Sequence, residues 1–225
     1  MNIFIPEVST PLRQHRIEIP KAVKQASGIL ILGQLVRSIL FTTDIVFIRN
    51  NNADAIMAVY PFTPQPLITQ AIVSVTDKPV LMGVGGGTTQ GKRVVNLALH
   101  AEFQGALSVV LNAPIADNIL KAVDKTIDIP ITVTVINEIV GYRLQNGADI
   151  LNVSAGIQTP EVVEKIRRNF PHVPIIATGG PTEESIARTI EAGANAITWT
   201  PPSMSELMKK LMKQYREDYL HSAII

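Results

Sequence analysis

At 225 residues, with 46% hydrophobic and 17% charged side chains, the chain holds enough apolar material for one large core and too much for a disordered tract. A formal net charge of +1, from 20 basic and 19 acidic residues, excludes a strongly basic surface for nucleic acid or anionic membrane. The absence of cysteine excludes disulfides, thiolate nucleophiles and cysteine-ligated metals together.

The opening residues, MNIFIPEVSTPLRQHR, lack the basic-then-apolar layout of a signal peptide. The apolar patch from Gly28 to Phe41 is interrupted by Gln34, Arg37 and Ser38 and is too short to span a bilayer. The expectation is a cytoplasmic protein with no membrane or nucleic-acid partner, a small anionic molecule as ligand, and self-association left open.

Residues 1–27 read as an N-terminal capping segment with a short helix from about Pro20. The first strand is placed at Gly28–Gly33, which keeps the strand spacing; Ser38–Thr42 is the rival position. Seven β-branched runs follow: Ala53–Val59, Pro79–Met82, Gly105–Leu111, Pro130–Val135, Gly147–Val153, Pro174–Thr178 and Gly193–Trp199. They start about 17 to 27 residues apart, room for a strand and one helix each. Thr159-Pro160-Glu161 opens a helix with proline in its first turn and acid near its positive end. Another helix runs from Thr182 to Gly193, where glycine turns the chain into the next strand. A last helix at 203–219, with Leu207, Met208, Leu211 and Met212 on one side, is expected to close the structure against the first unit. Near-continuous apolar strands alternating with helices predict a parallel sheet covered on both faces. The fold class is therefore α/β, a single-domain (β/α)8 TIM barrel over 1–225.

The segment PVLMGVGGGTTQGKR has the P-loop spacing GxxxxGK from Gly86 to Lys92. Arg93 stands where Mg²⁺ binding needs Ser or Thr, and Asp54 and Asp149 lie at strand beginnings, away from such a loop. An NTP-hydrolysing site is therefore rejected. A turn at the barrel mouth remains, or an anion nest of backbone N–H groups at Gly86 and Gly87 with Lys92 beside it.

Chemistry in such barrels sits just after the strand C-termini. Those positions hold Tyr60, the glycine loop, Asn112, Glu138, Ser154, Thr178-Gly179-Gly180 and Thr200. Glu138 is the candidate proton carrier, or else an acidic first-turn residue of the next helix. Tyr60 and Asn112 are candidates to orient substrate. The four histidines, His15, His100, His172 and His221, form no inward-facing metal set, so neither metal nor cofactor is expected. No GxSxG elbow supports serine hydrolysis, which keeps only a minor place.

The run Ile175-Ile176-Ala177-Thr178-Gly179-Gly180-Pro181, followed by Ala192-Gly193-Ala194, resembles strands seven and eight of phosphate-binding (β/α)8 barrels. In style it is similar to the 2-keto-3-deoxy-6-phosphogluconate aldolases, as is the turn Gly156-Ile157-Gln158-Thr159-Pro160-Glu161. The resemblance implies that the N–H groups of Gly179 and Gly180 bind a substrate phosphate. It departs from the family at two points: no strand carries a lysine for aldolase chemistry, and Pro201-Pro202 removes N–H donors after the last strand. The functional expectation is a metabolic enzyme of lyase or isomerase type acting on a phosphorylated or carboxylated small molecule. The alternative is a barrel that senses such a ligand without catalysis.

Overall fold

The structure, a computed structural model, describes Pro6 and residues 16–222. Part of the expected capping segment 1–27 therefore lies outside the described residues. A 3-10 helix covers Lys21–Gln25, and an antiparallel hairpin of β1 (Ile29–Ile31) and β2 (Gln34–Val36) follows it. Then come β3 (Ser38–Phe41), β4 (Ala55–Ala58), β5 (Val80–Gly85), β6 (Ser108–Leu111), β7 (Ile131–Val135), β8 (Ile150–Val153), β9 (Ile175–Thr178) and β10 (Ala196–Trp199). These eight parallel strands close into a barrel, with β10 pairing both β9 and β3. After the barrel strands, in chain order, run α1 (Ile45–Arg49), α2 (Pro66–Val75), α3 (Lys92–Phe103), α4 (Asp117–Asp124), α5 (Gly141–Gln145), α6 (Thr159–Asn169), α7 (Glu183–Glu191) and α8 (Met204–Ser222). The expected (β/α)8 barrel is present.

Its first strand is not where the spacing put it. Gly28–Gly33 forms one arm of the hairpin and its turn, and the barrel strand occupies the rival position at Ser38–Phe41. The reason is a two-residue turn at Leu32 (φ 47°) and Gly33 (φ 83°), between the paired Ile31 and Gln34. Positive φ at both central residues matches the strand twist and folds the chain straight back. The hairpin buries Ile29, Ile31 and Val36 among the barrel-interior residues Ile39, Ala55, Met57, Leu107 and Ile150. It is an apolar plug beneath the strands.

The alternation along each strand divides the core in two. Outward residues such as Leu40, Met82, Val109, Val133, Leu151 and Ile197 pack under the helices, while their neighbours fill the barrel. The polar residue in three of the strand entries has a job at the barrel's N-terminal end. Asp54 Oδ2 accepts from the backbone N–H groups of Arg37 and Ser38, both at 2.9 Å. Asp149 Oδ2 accepts from Ile131 N–H at 2.8 Å, and Asn195 Oδ1 from Ile175 N–H at 3.0 Å. Each side chain thus holds the start of the preceding strand, satisfying donors that no neighbouring strand reaches.

The final helix only partly does what was expected of it. Met204 and Leu207 pack against the core, and Leu207, Met208 and Leu211 face Val46 and Phe47 of α1 across a cavity of about 450 Å³. Beyond Leu211 the described side chains, including Met212 and Tyr215, are exposed. No helix among the described residues is long and apolar enough to cross a membrane.

Candidate functional site

The C-terminal mouth of the barrel divides into two parts. On the β4–β6 side, Gly85 (φ 134°) and Gly86 (φ 94°) start a loop that folds on itself, with Gly86 N–H donating to the Thr89 carbonyl at 2.9 Å. The Gln90 amide donates to the carbonyls of Gly86 and Gly87 at 2.8 and 2.9 Å, closing the loop from inside. A β-carbon on Gly86 would lie 2.8 Å from Asn112 N, so the loop packs directly on the next strand's end. Lys92 begins α3 and is exposed. Tyr60, Gly87 and Asn112 line a cavity of about 190 Å³ with Phe62 and Thr89. The Tyr60 hydroxyl accepts from Gln65 N–H at 2.9 Å, which fixes the ring ahead of α2. The structure therefore brings Tyr60, Asn112, Gly86 and Gly87 together.

The other side is built from β7 to β10. Thr134, Asn152, Thr178 and Thr198 occupy strand positions on the barrel's interior side, and none of the interior strand positions there carries a charge. Asn152 Nδ2 donates to Thr134 Oγ1 at 3.1 Å, and Thr178 Oγ1 donates to Ser154 Oγ at 3.3 Å. Below them Ser108 Oγ and Thr132 Oγ1 share a hydrogen bond of 2.8 Å. Asn152 is 7% exposed and Thr198 is 5% exposed, yet Asn152 Oδ1 and Thr198 Oγ1 have no partner among the described residues. Thr200 follows on the exposed rim.

Gly179 and Gly180 form the turn from β9 into α7. A β-carbon on Gly179 would press on Ile197 and Ile186 at 2.7 and 2.8 Å, and Gly180 has φ 80°. Packing and backbone conformation both require glycine here. The helix start beyond them is not a row of unpaired donors. Thr182 and Ser185 form a reciprocal capping box, occupying the N–H groups of both residues. Glu184 is held below the usual carboxylate range, first by its own backbone N–H and then by Thr182. The Glu183 carboxylate accepts from the N–H groups of Lys21 and Ala22 at 2.9 and 2.6 Å. The carboxylates of Glu183 and Glu184 are thus both engaged by donors around the start of α7.

Glu138 stands in the loop after β7, separate from both groups. Its carboxylate pairs with Lys165 Nζ of α6 at 3.2 Å. A hydrogen bond from its own backbone N–H, and then Lys165, holds its pKa below the usual range. The loop beside it is anchored by Arg143, whose buried guanidinium donates to the carbonyls of Ile115 and Ala113 at 2.5 and 2.8 Å and pairs with Asp117 at 2.6 Å.

Thr134, Asn152, Thr198 and Arg143 are absent from the residues singled out by sequence. Three of them have a legible signal: a polar residue inside an otherwise apolar strand, in ITVTV, ILNV and AITW. Arg143 has none, because a lone arginine in a helix reads as a solvated one.

No protein-family model matches the chain, and no curated protein matches it. Solved structures do resemble it. A 2,3-dimethylmalate lyase, a member of the PEP mutase/isocitrate lyase superfamily, superimposes with a TM-score of 0.61 at 12% identity, covering 91% of this chain and 86% of the other. Phosphoenolpyruvate phosphomutase from Streptomyces platensis subsp. rosaceus gives 0.61 at 13% identity, covering 90% and 86%. Phosphonopyruvate hydrolase, in complex with oxalate and Mg²⁺, gives 0.59 at 12% identity, covering 85% and 83%. At such identities the likeness establishes the fold alone. Among the described residues no group of three or more His, Asp or Glu side chains is placed to hold a metal ion.

Proposed function

We propose that the mouth formed by β7 to β10 binds a small, oxygen-rich metabolite, carboxylated or phosphorylated, and that the chain is a metabolic enzyme of lyase or isomerase type. The observation that carries this reading is the pair of buried, unpartnered atoms Asn152 Oδ1 and Thr198 Oγ1. A buried polar atom without a partner costs about 1–3 kcal/mol. With no partner among the described residues, solvent can supply one in the free protein and a ligand group can supply one on binding. The Thr198 hydroxyl can donate to a carboxylate, phosphate or carbonyl oxygen, whereas Asn152 Oδ1 only accepts and calls for a donor, a water or a hydroxyl of the ligand. The three similar structures support the reading, since their names refer to small carboxylic acids, two of them bearing phosphorus.

In this reading Tyr60 and Asn112 orient the substrate from the opposite wall, and Glu138 carries the proton. One observation favours the second reading, a sensing barrel without catalysis. A carboxylate held in its charged form by its own backbone N–H and then by Lys165 is a weak base near neutral pH. Screening small carboxylates and their phosphorylated forms by thermal shift, followed by product analysis of each stabilising compound, separates the two. Conversion supports the enzyme, and Glu138→Gln should then slow turnover by about two to four orders of magnitude. Stabilisation with no product after long incubation supports the sensor. No stabilisation by any compound would remove the mouth as a metabolite site.

A further inference from the structure

Thr134 belongs to two places at once. Its hydroxyl accepts from Asn152 in the polar floor, and it also lines a second cavity of about 230 Å³ opening between the loops after β6 and β7. The walls of that cavity are Ala113 and Pro114 on one side and Ile136, Ile139 and Tyr142 on the other. All three of the latter are exposed, large and apolar, at a rim where the chain gains nothing by placing them in water. Arg143 also lines the cavity, with its guanidinium 4.9 Å from the centre of the Tyr142 ring, and its charge is paired with Asp117 while it donates to two carbonyls. Thr134 is thus common to the uncharged polar floor and to a side pocket that is apolar apart from Thr134, Asn137 and Arg143.

We propose that this side pocket receives a hydrocarbon substituent of the substrate, making the ligand a small acid that carries an aliphatic branch rather than a bare one. The proposal rests on the reading of the mouth given above. At roughly 30 Å³ per water-sized group, the cavity of about 230 Å³ has room for a branch of a few carbons. Each methylene buried contributes about 0.8 kcal/mol, close to a fourfold gain in affinity. Partial exposure of the rim reduces this to about two- to fourfold per methylene.

Isothermal titration of the full chain with malonate, methylmalonate, ethylmalonate and butylmalonate tests the pocket. Affinity should climb by about two- to fourfold for each carbon added. In the double variant Ile136→Ser, Ile139→Ser, the ratio of butylmalonate to malonate affinity should collapse towards one. The two residues are exposed, so the fold should survive; a thermal melt of the same preparation confirms it. A flat series in the wild type, with malonate still bound, overturns the side pocket and leaves the mouth reading standing. A climbing series that persists in the double variant places the branch elsewhere and also overturns it. If no member binds, the carboxylate reading and the side pocket fail together.

Discussion

At the N-terminal end of the barrel, Asp54, Asp149 and Asn195 each have their side-chain oxygens filled by backbone N–H groups of the preceding strand. At the C-terminal end, Asn152 and Thr198 are more deeply buried but leave oxygens unpartnered. The hairpin plugs the first end with Ile29, Ile31 and Val36, whereas nothing comparable covers the second among the described residues. One end spends its polar groups on holding strands in register. The other holds polar groups ready at a cost in stability, as a binding site does.

Breaking the plug should have the largest effect. Ile31 is 3% exposed and surrounded by the barrel interior. Ile31→Ala removes three carbons and leaves a void that the closed strands cannot collapse into, so a loss of about 2–4 kcal/mol is expected. Urea unfolding measures it, and ligand binding by the surviving folded fraction should be unaltered. A loss below about 0.5 kcal/mol would mean the hairpin rests on the barrel without stabilising it.

The mouth should respond in the opposite sense. Thr198→Val keeps the side chain's shape and deletes an oxygen that has no partner among the described residues. Stability is expected to stay level or rise by up to about 1 kcal/mol, since a desolvated hydroxyl is removed. Affinity for any ligand found by the thermal-shift screen should fall by about tenfold, the worth of one hydrogen bond of about 1.4 kcal/mol. A clear loss of stability in this variant would show that the hydroxyl holds structure rather than ligand, and the contrast between the two ends would disappear.

The two ends also differ in how well the sequence reveals them. The strand entries repeat, with Gly-Ala or Pro ahead of β-branched residues, so seven of the barrel strands and the helices between them follow from spacing and composition. The hairpin escapes that rule. Its exposed positions are filled by Leu30 at 70% and Leu35 at 47%, which hides the alternation of a half-buried ribbon. Its turn is Leu-Gly rather than Asn-Gly, and leucine gives no hint of a positive φ. At the mouth, position after a strand is readable but direction is not. Glu138 sits after β7 as expected, yet its pairing with Lys165 on α6 is a tertiary fact. Asn152 and Thr198 lie one residue before a strand end, inside runs whose apolar character draws attention away from them.

The rim between the two regimes should show the smallest effect, through Glu138. Its folded-state pKa lies below its unfolded value, first because its own backbone N–H bonds the carboxylate and then because of Lys165. The native chain therefore holds this proton less tightly than the unfolded chain does. The resulting stabilisation is complete above the ordinary glutamate value of about 4.3 and fades as pH falls through the lower folded value. Urea midpoints measured from pH 6 to pH 3 should fall slightly more steeply in the wild type than in Glu138→Gln. Salt separates the causes: at about 1 M the screening length is about 3 Å, so the Lys165 share shrinks while the hydrogen bond to the backbone persists. A wild-type midpoint that gained on Glu138→Gln towards acid would mean the carboxyl is raised by burial, as a general base inside the mouth would be. That outcome would restore Glu138 as a candidate base and strengthen the catalytic reading over the sensing one.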